Sequence, residues 1–173
     1  MFDPFFLWLE ATAFSVWMRE ETSIFAFPMI LAAHTIGLGL LAGINAALDL
    51  RLLGFASGIP VVGFRRFLPV MWLGLWVNVL SGIALLLAYP TKALTNPVFY
   101  LKLSFIAAAL VILRKFSRFV LTEGLIPGNV KMLAAASLVC WAGAITSGRF
   151  LAYTHLRLLA TWDYEMNHWS WPY

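Results

Sequence analysis

Residues 30–50 read ILAAHTIGLGLLAGINAALDL. The run is long and apolar enough to cross a bilayer, because about 20 residues rising ~1.5 Å each span the roughly 30 Å of hydrocarbon. Yet it carries His34 near its middle and Asn45 eleven residues later. A polar group in lipid must find its partners inside the protein. Two questions follow from this one stretch: how the chain is threaded, and what the polar groups are for.

Composition answers the first in outline. The chain has 173 residues, 62% hydrophobic and 12% charged, with a mean hydropathy of +0.85. A soluble globular domain has roughly 45 to 50% apolar and about 25% charged residues. A chain this short could not bury so much apolar surface in water, so lipid is the solvent that fits. The net charge of +4 does not indicate nucleic acid, because the basic residues collect at the ends of apolar runs, as in membrane proteins. The lone Cys140 can form no intrachain disulfide and reads as a small buried hydrophobe.

Four segments qualify as spans, at about 24–48, 67–89, 98–119 and 130–150. Gly58 and Pro60, Pro90, Asn96 with Pro97, and Pro127 with Gly128 punctuate them. Residues 1–22 have no positive leading region and are expected to stay in the mature protein. Their apolar residues Phe5, Phe6, Leu9, Ala13, Val16 and Trp17 recur at helical spacing, which predicts one helix lying in the membrane interface. The expected fold is therefore all-α: an integral membrane antiparallel four-helix bundle with an N-terminal interfacial amphipathic helix. A single domain suffices, ending in an aromatic tail over 151–173.

Small residues at i, i+4 spacing predict the helix contacts, since they let backbones approach closely in lipid. They form ridges at Gly39, Gly43 and Ala47, at Gly74, Asn78 and Gly82, and at Ala136, Cys140, Ala144 and Gly148. Orientation follows from Lys and Arg, which cytoplasmic loops hold in excess. Arg51, Arg65 and Arg66 follow the first span; Arg114, Lys115, Arg118 and Lys131 lie around the third connection. Both should face the cytoplasm, placing both termini outward, toward the periplasm of a bacterial inner membrane.

His34 lies ten residues past Ile24, about 15 Å below the outer boundary. Asn78, twelve residues before Pro90, sits at a similar depth of about 18 Å, so the two can meet. One reading makes them interhelical hydrogen-bonding glue. The other makes His34 the mark of a cofactor, quinone or proton site, as intramembrane ionisable residues commonly are. Lys102, about 7 Å below the outer surface, either snorkels to the interface or turns inward. Turned inward, it would pair with Glu20, Glu21 or an anionic ligand and form, with Arg149, a polar vestibule above His34.

Haem b held by two histidines needs a second ligand at matching depth. His155 and His168 lie beyond Arg149, so within one protomer only five-coordinate haem, a chlorin, or ligation across a dimer stays open. Copper transport would want clustered soft ligands, whereas Met29 and His34 fall on different helix faces and Met71 and Met132 sit near the other side. No phosphate-binding loop, HExxH or nucleophile elbow appears, so hydrolase and nucleotide chemistry have no footing. The tail ATWDYEMNHWSWPY suits an interfacial anchor or, equally in composition, a protein docking surface.

The run FPMILAAHTIGLGLLAGINAALDLRLLG, then RRFLPV, NPVFYLKLSF and SGRFLAY, resembles an uncharacterised family of small four-helix bacterial inner-membrane proteins, over about residues 25–153. It is more remotely similar to copper-resistance membrane proteins and b561-type cytochromes. The resemblance places a span histidine at His34, a helix exit at Asp49 to Gly54, a lysine at Lys102 and a glycine-arginine pair at Gly148 and Arg149.

The expectation is an integral inner-membrane subunit or anchor, without catalysis of its own, offering His34, Asn78, Lys102 and Arg149 as a quinone, haem or lipid site. Its partners would be membrane lipids and a protein docked on the outer tail. Two other readings stay open: a redox-active or ion- or metal-transporting protein working through His34, and a structural homo-oligomer packed through the glycine ridges.

Overall fold

The computed structural model describes residues 3–122 and 128–154, and over them it contains helices and no strand. Two short helices, α1 (Asp3–Glu10) and α2 (Ala13–Glu20), lead into the long α3 (Phe27–Leu53). A 3-10 stretch over Val61–Phe67 runs into α4 (Leu68–Ala88). A five-residue helix α5 (Pro90–Leu94) precedes α6 (Pro97–Thr122), and α7 (Val130–Tyr153) closes the described chain. Prolines in the first turns of α3 and α4 start those helices at no hydrogen-bond cost. Gly54, at φ 109°, ends α3 in the left-handed conformation that glycine alone adopts freely.

Four helical stretches, Phe27–Leu53, Val61–Ala88, Pro97–Arg118 and Val130–Tyr153, are long and apolar enough to cross a membrane. That marks a multi-pass membrane protein. Large apolar side chains on their outward faces agree: Ile36, Trp76, Leu80 and Val139 are 62%, 62%, 63% and 65% exposed. In water such a surface would be a liability; in lipid it is the ordinary exterior.

α3 packs against both α4 and α7, and α7 packs against α6. Contacts thus run in the order α4, α3, α7, α6. Buried apolar residues concentrate at one end, drawn from Leu41, Leu48 and Leu52 of α3, Met71 of α4, Leu113 and Phe116 of α6, and Ala134 and Trp141 of α7. This is the Arg51 end. At the opposite end all four long helices line a cavity that includes His34 and Lys102.

α3 packs closely on α4: the α4 ridge of Gly74, Asn78 and Gly82 faces α3 as its spacing suggests, but α3 meets it through Gly37 and not through Gly39 and Gly43. A Cβ on Gly37 would lie 2.8 Å from Asn78 N, and one on Gly74 would lie 2.8 Å from Leu40 Cβ. Gly39 and Gly43 would meet nothing within 4 Å, and Ala47 is exposed with them. The expected ridge 39–43–47 faces away from the other helices, because α3 turns inward the face carrying His34, Gly37, Leu41, Asn45 and Leu48. On α7, Ala144 is buried and Cys140 packs against the core, while Ala136 is exposed.

The N-terminal stretch forms two helices where one was expected. Thr12 breaks them, taking extended φ/ψ and accepting from Ser15 N at 3.4 Å as the N-cap of α2. α2 then docks on the end of α4: Ser15 Oγ and Arg19 both donate to the Ala88 carbonyl, at 3.2 and 3.0 Å. The second guanidinium branch of Arg19 reaches the Glu10 carbonyl at 2.6 Å. Arg19 thereby supplies both donors and positive charge to the carbonyl-rich end of a span. Trp8 and Trp17 stay exposed, as an interfacial pair would. Lys92 of α5 donates to the Ala152 carbonyl at 3.2 Å, and Asn96 caps α6 at Val98 N while holding Thr154 Oγ1 at 2.7 Å.

Candidate functional site

His34 sits seven residues into α3, about 10 Å along the helix. Gly82 of α4 leaves room for the imidazole, since a Cβ there would lie 3.2 Å from His34 Cε1. The ring turns Nδ1 toward α4, 3.1 Å from the Asn78 carbonyl oxygen and 3.1 Å from Ser81 Oγ. A carbonyl can only accept, and the Ser81 proton is drawn to the Val77 carbonyl at 2.6 Å. Nδ1 therefore carries the hydrogen, and Nε2 keeps its lone pair. In return, Asn78 Nδ2 donates to the His34 carbonyl oxygen at 2.9 Å.

The cavity beside the ring has a volume of about 230 Å³. Phe27 and Leu31 of α3, Leu85 and Leu86 of α4, Phe99 of α6 and Leu151 of α7 supply apolar walls, while His34, Lys102 and Lys92 supply polar points. Lys102 turns inward rather than out to the interface. Its stem lies along Gly148, where a Cβ would be 3.6 Å from Lys102 Cε and 3.8 Å from Nζ. Among the described residues no acceptor lies within hydrogen-bond reach of its ammonium.

Of the four residues singled out from the sequence, the fold brings His34 and Asn78 into contact and sets Lys102 on the same cavity. Arg149 is exposed and does not line it; the glycine before it does, as the floor for Lys102. Glu20 and Glu21 make no ion pair with Lys102 among the described residues. His155, His168 and the aromatic tail lie outside the described residues. Met29 and Met132 are exposed and Met71 is fully buried in the core, so they do not converge on His34. Among the described residues no three His, Cys, Asp or Glu side chains gather as a metal site.

Sequence reasoning passed over Lys92 at this cavity and Ser81 behind the imidazole, and read Gly82 only as a helix-contact residue. It also left Asn45 unexplained. Asn45 and Asp49 of α3 are fully buried, with Asn45 Nδ2 donating to Asp49 Oδ2 at 3.0 Å and to Ser137 Oγ of α7 at 2.8 Å. The signal was present: Asn45 and Asp49 are one helical turn apart and share the His34 face. No protein family, curated protein or solved structure matches the chain. The functional reading therefore rests on the chemistry of these residues.

Proposed function

We propose that this is an integral membrane subunit that holds the head group of a quinone or quinol in its outer leaflet half, for a partner protein to use. The observation that carries the reading is the cavity, whose apolar walls meet two polar residues: His34, with its Nε2 left as an acceptor, and Lys102, a cationic donor. A quinol hydroxyl can donate to the first, and a quinone carbonyl can accept from the second. Pockets for drug-sized ligands run to about 300–1,000 Å³, so about 230 Å³ suits one substituted ring better than a macrocycle. A phosphate head group would stay at the interface, whereas a quinone ring is apolar enough to enter hydrocarbon at this depth.

The finer arrangement belongs to the same proposal. The four spans form an antiparallel bundle with the Arg51 end in the cytoplasm, by the excess of Arg and Lys there. Both termini then face the periplasm of an inner membrane, where the exposed tryptophans of α1 and α2 lie flat and the C-terminal tail is available to a partner.

Titration of purified protein with a short-chain benzoquinone, followed by tryptophan and tyrosine fluorescence, tests the reading. Saturable quenching, weakened at least tenfold by Lys102→Met and by His34→Ala, is the expected result. Quenching identical in all three proteins would overturn it. A Soret band in the purified protein that disappears in His34→Ala would assign haem instead.

A further inference from the structure

A second polar centre lies in the tightly packed half of the molecule, well away from the cavity. Asn45, Asp49 and Ser137 are each 0% exposed. The Asn45 amide spends both of its hydrogens, on Asp49 Oδ2 and Ser137 Oγ. Its own oxygen, Asn45 Oδ1, and the second carboxylate oxygen, Asp49 Oδ1, are buried with no partner. Each orphaned oxygen is joined through one carbon to an atom of the same hydrogen-bonded pair, so both belong to one small cluster. The register of α3 on α7, set by Asn45 opposite Ser137, and that of α6 on α7, set by Phe105 against Gly143 and Lys102 against Gly148, bring Ser117 to about the level of Asp49. Ser117 Oγ is also buried and unpartnered.

Nothing cationic pairs with Asp49 among the described residues. A buried carboxylate in that state costs several kcal/mol, and each unpaired acceptor adds its own desolvation penalty. The missing partner must be positive and must serve several oxygens at once. A single proton serves at most the two orphaned oxygens of the Asn45–Asp49 pair, whereas a metal ion can also take the serine hydroxyl oxygens. Oxygen-only donors select a hard ion. One carboxylate balances one unit of charge, and a divalent ion would leave a net charge in the packed interior.

We propose that Asn45, Asp49 and Ser137 bind one small monovalent cation of the sodium class between α3 and α7, with Ser117 of α6, at the same level, as its further oxygen. The site is independent of the quinone reading and would survive its failure. It ties the three helices at the Arg51 end, the half of the molecule where the buried core lies.

Thermal unfolding of the purified protein in detergent tests this, comparing sodium chloride with choline chloride at equal ionic strength and fixed pH. The wild type should gain roughly 3 to 6 °C at ten times the dissociation constant, saturably. Asp49→Asn keeps the shape of the side chain without its charge and should fold while losing the sodium increment. Ser117→Ala, a smaller change, should weaken the apparent sodium affinity about fivefold. No sodium increment in the wild type would overturn the proposal, as would an equal increment in Asp49→Asn. A stability that follows pH through Asp49 but ignores sodium would also overturn it, assigning a proton in place of the ion.

Discussion

His34 and Asn78 each hydrogen-bond the main chain of the other: the imidazole Nδ1 lies 3.1 Å from the Asn78 carbonyl oxygen, and the Asn78 amide donates to the His34 carbonyl oxygen at 2.9 Å. These two main-chain bonds do not require each other, and the side chains touch only at longer range, with Asn78 Nδ2 3.4 and 3.5 Å from the imidazole Nδ1 and Nε2. Asn78→Ala and His34→Ala should each cost about 1 kcal/mol, and the double variant should cost nearly their sum, with a coupling below about 0.5 kcal/mol. Denaturant titration in detergent micelles measures all three. A strongly non-additive cycle would mean that the side-chain contact, and not the pair of main-chain bonds, carries the clamp between α3 and α4.

The α3–α4 crossing makes a second prediction. Gly37→Ala and Gly74→Ala put a methyl 2.8 Å from a neighbouring backbone or Cβ atom, and overpacking of this kind costs about 1 to 3 kcal/mol. Gly39→Ala and Gly43→Ala place theirs in open space and should leave stability unchanged or improved. Melting temperatures of the four variants decide the matter, and the two pairs should separate cleanly.

Arg19 joins α2, α1 and the end of α4 through the Ala88 and Glu10 carbonyls. Arg19→Ala should destabilise by about 1.5 kcal/mol, the scale of a charge-assisted bond at a half-exposed site. Arg19→Lys should not rescue it, because a point ammonium cannot reach two carbonyls on separate elements as a planar fork does. Hydrogen exchange read over residues 3–20 should accelerate in both variants while exchange in α7 stays slow.

Lys102 is a cation turned into a cavity with no acceptor of its own among the described residues. Such a group is expected to serve a ligand at some expense to stability. Lys102→Met should therefore raise the melting temperature of the ligand-free protein, or leave it unchanged, while abolishing any stabilisation by added benzoquinone that the proposed function predicts. A marked fall in the ligand-free melting temperature would mean that the lysine is structural.

Asn96 caps α6 through Val98 N and grips Thr154 at the end of α7. Asn96→Ala removes both contacts and should cost about 1 to 2 kcal/mol. Thr154→Val removes the second alone and should cost about half as much. Unfolding midpoints of the two variants check the partition.

Much of the site was readable beforehand. His34 and Asn78 stand at similar depths by residue count alone, and Lys102 is conspicuous as a cation inside an apolar run. Arg149 was read as a vestibule residue because it neighbours Gly148, but on a helix adjacent residues point about 100° apart, and only the glycine faces inward. Asn45 and Asp49 sit one turn apart on the face of His34, yet their partner Ser137 is 92 residues from Asn45, a pairing no local pattern encodes.

The amino-acid order by itself determined the number of spans, their approximate ends and the solvent they require, because length and hydropathy are properties of each segment alone. Which face each helix turns inward was decided only by the tertiary structure. In water the buried face announces itself by being apolar, but here both faces are apolar, since lipid favours the same side chains as the protein interior. The choice falls to close packing and paired hydrogen bonds, so Gly37 meets Gly74 while Gly39 and Gly43 look outward.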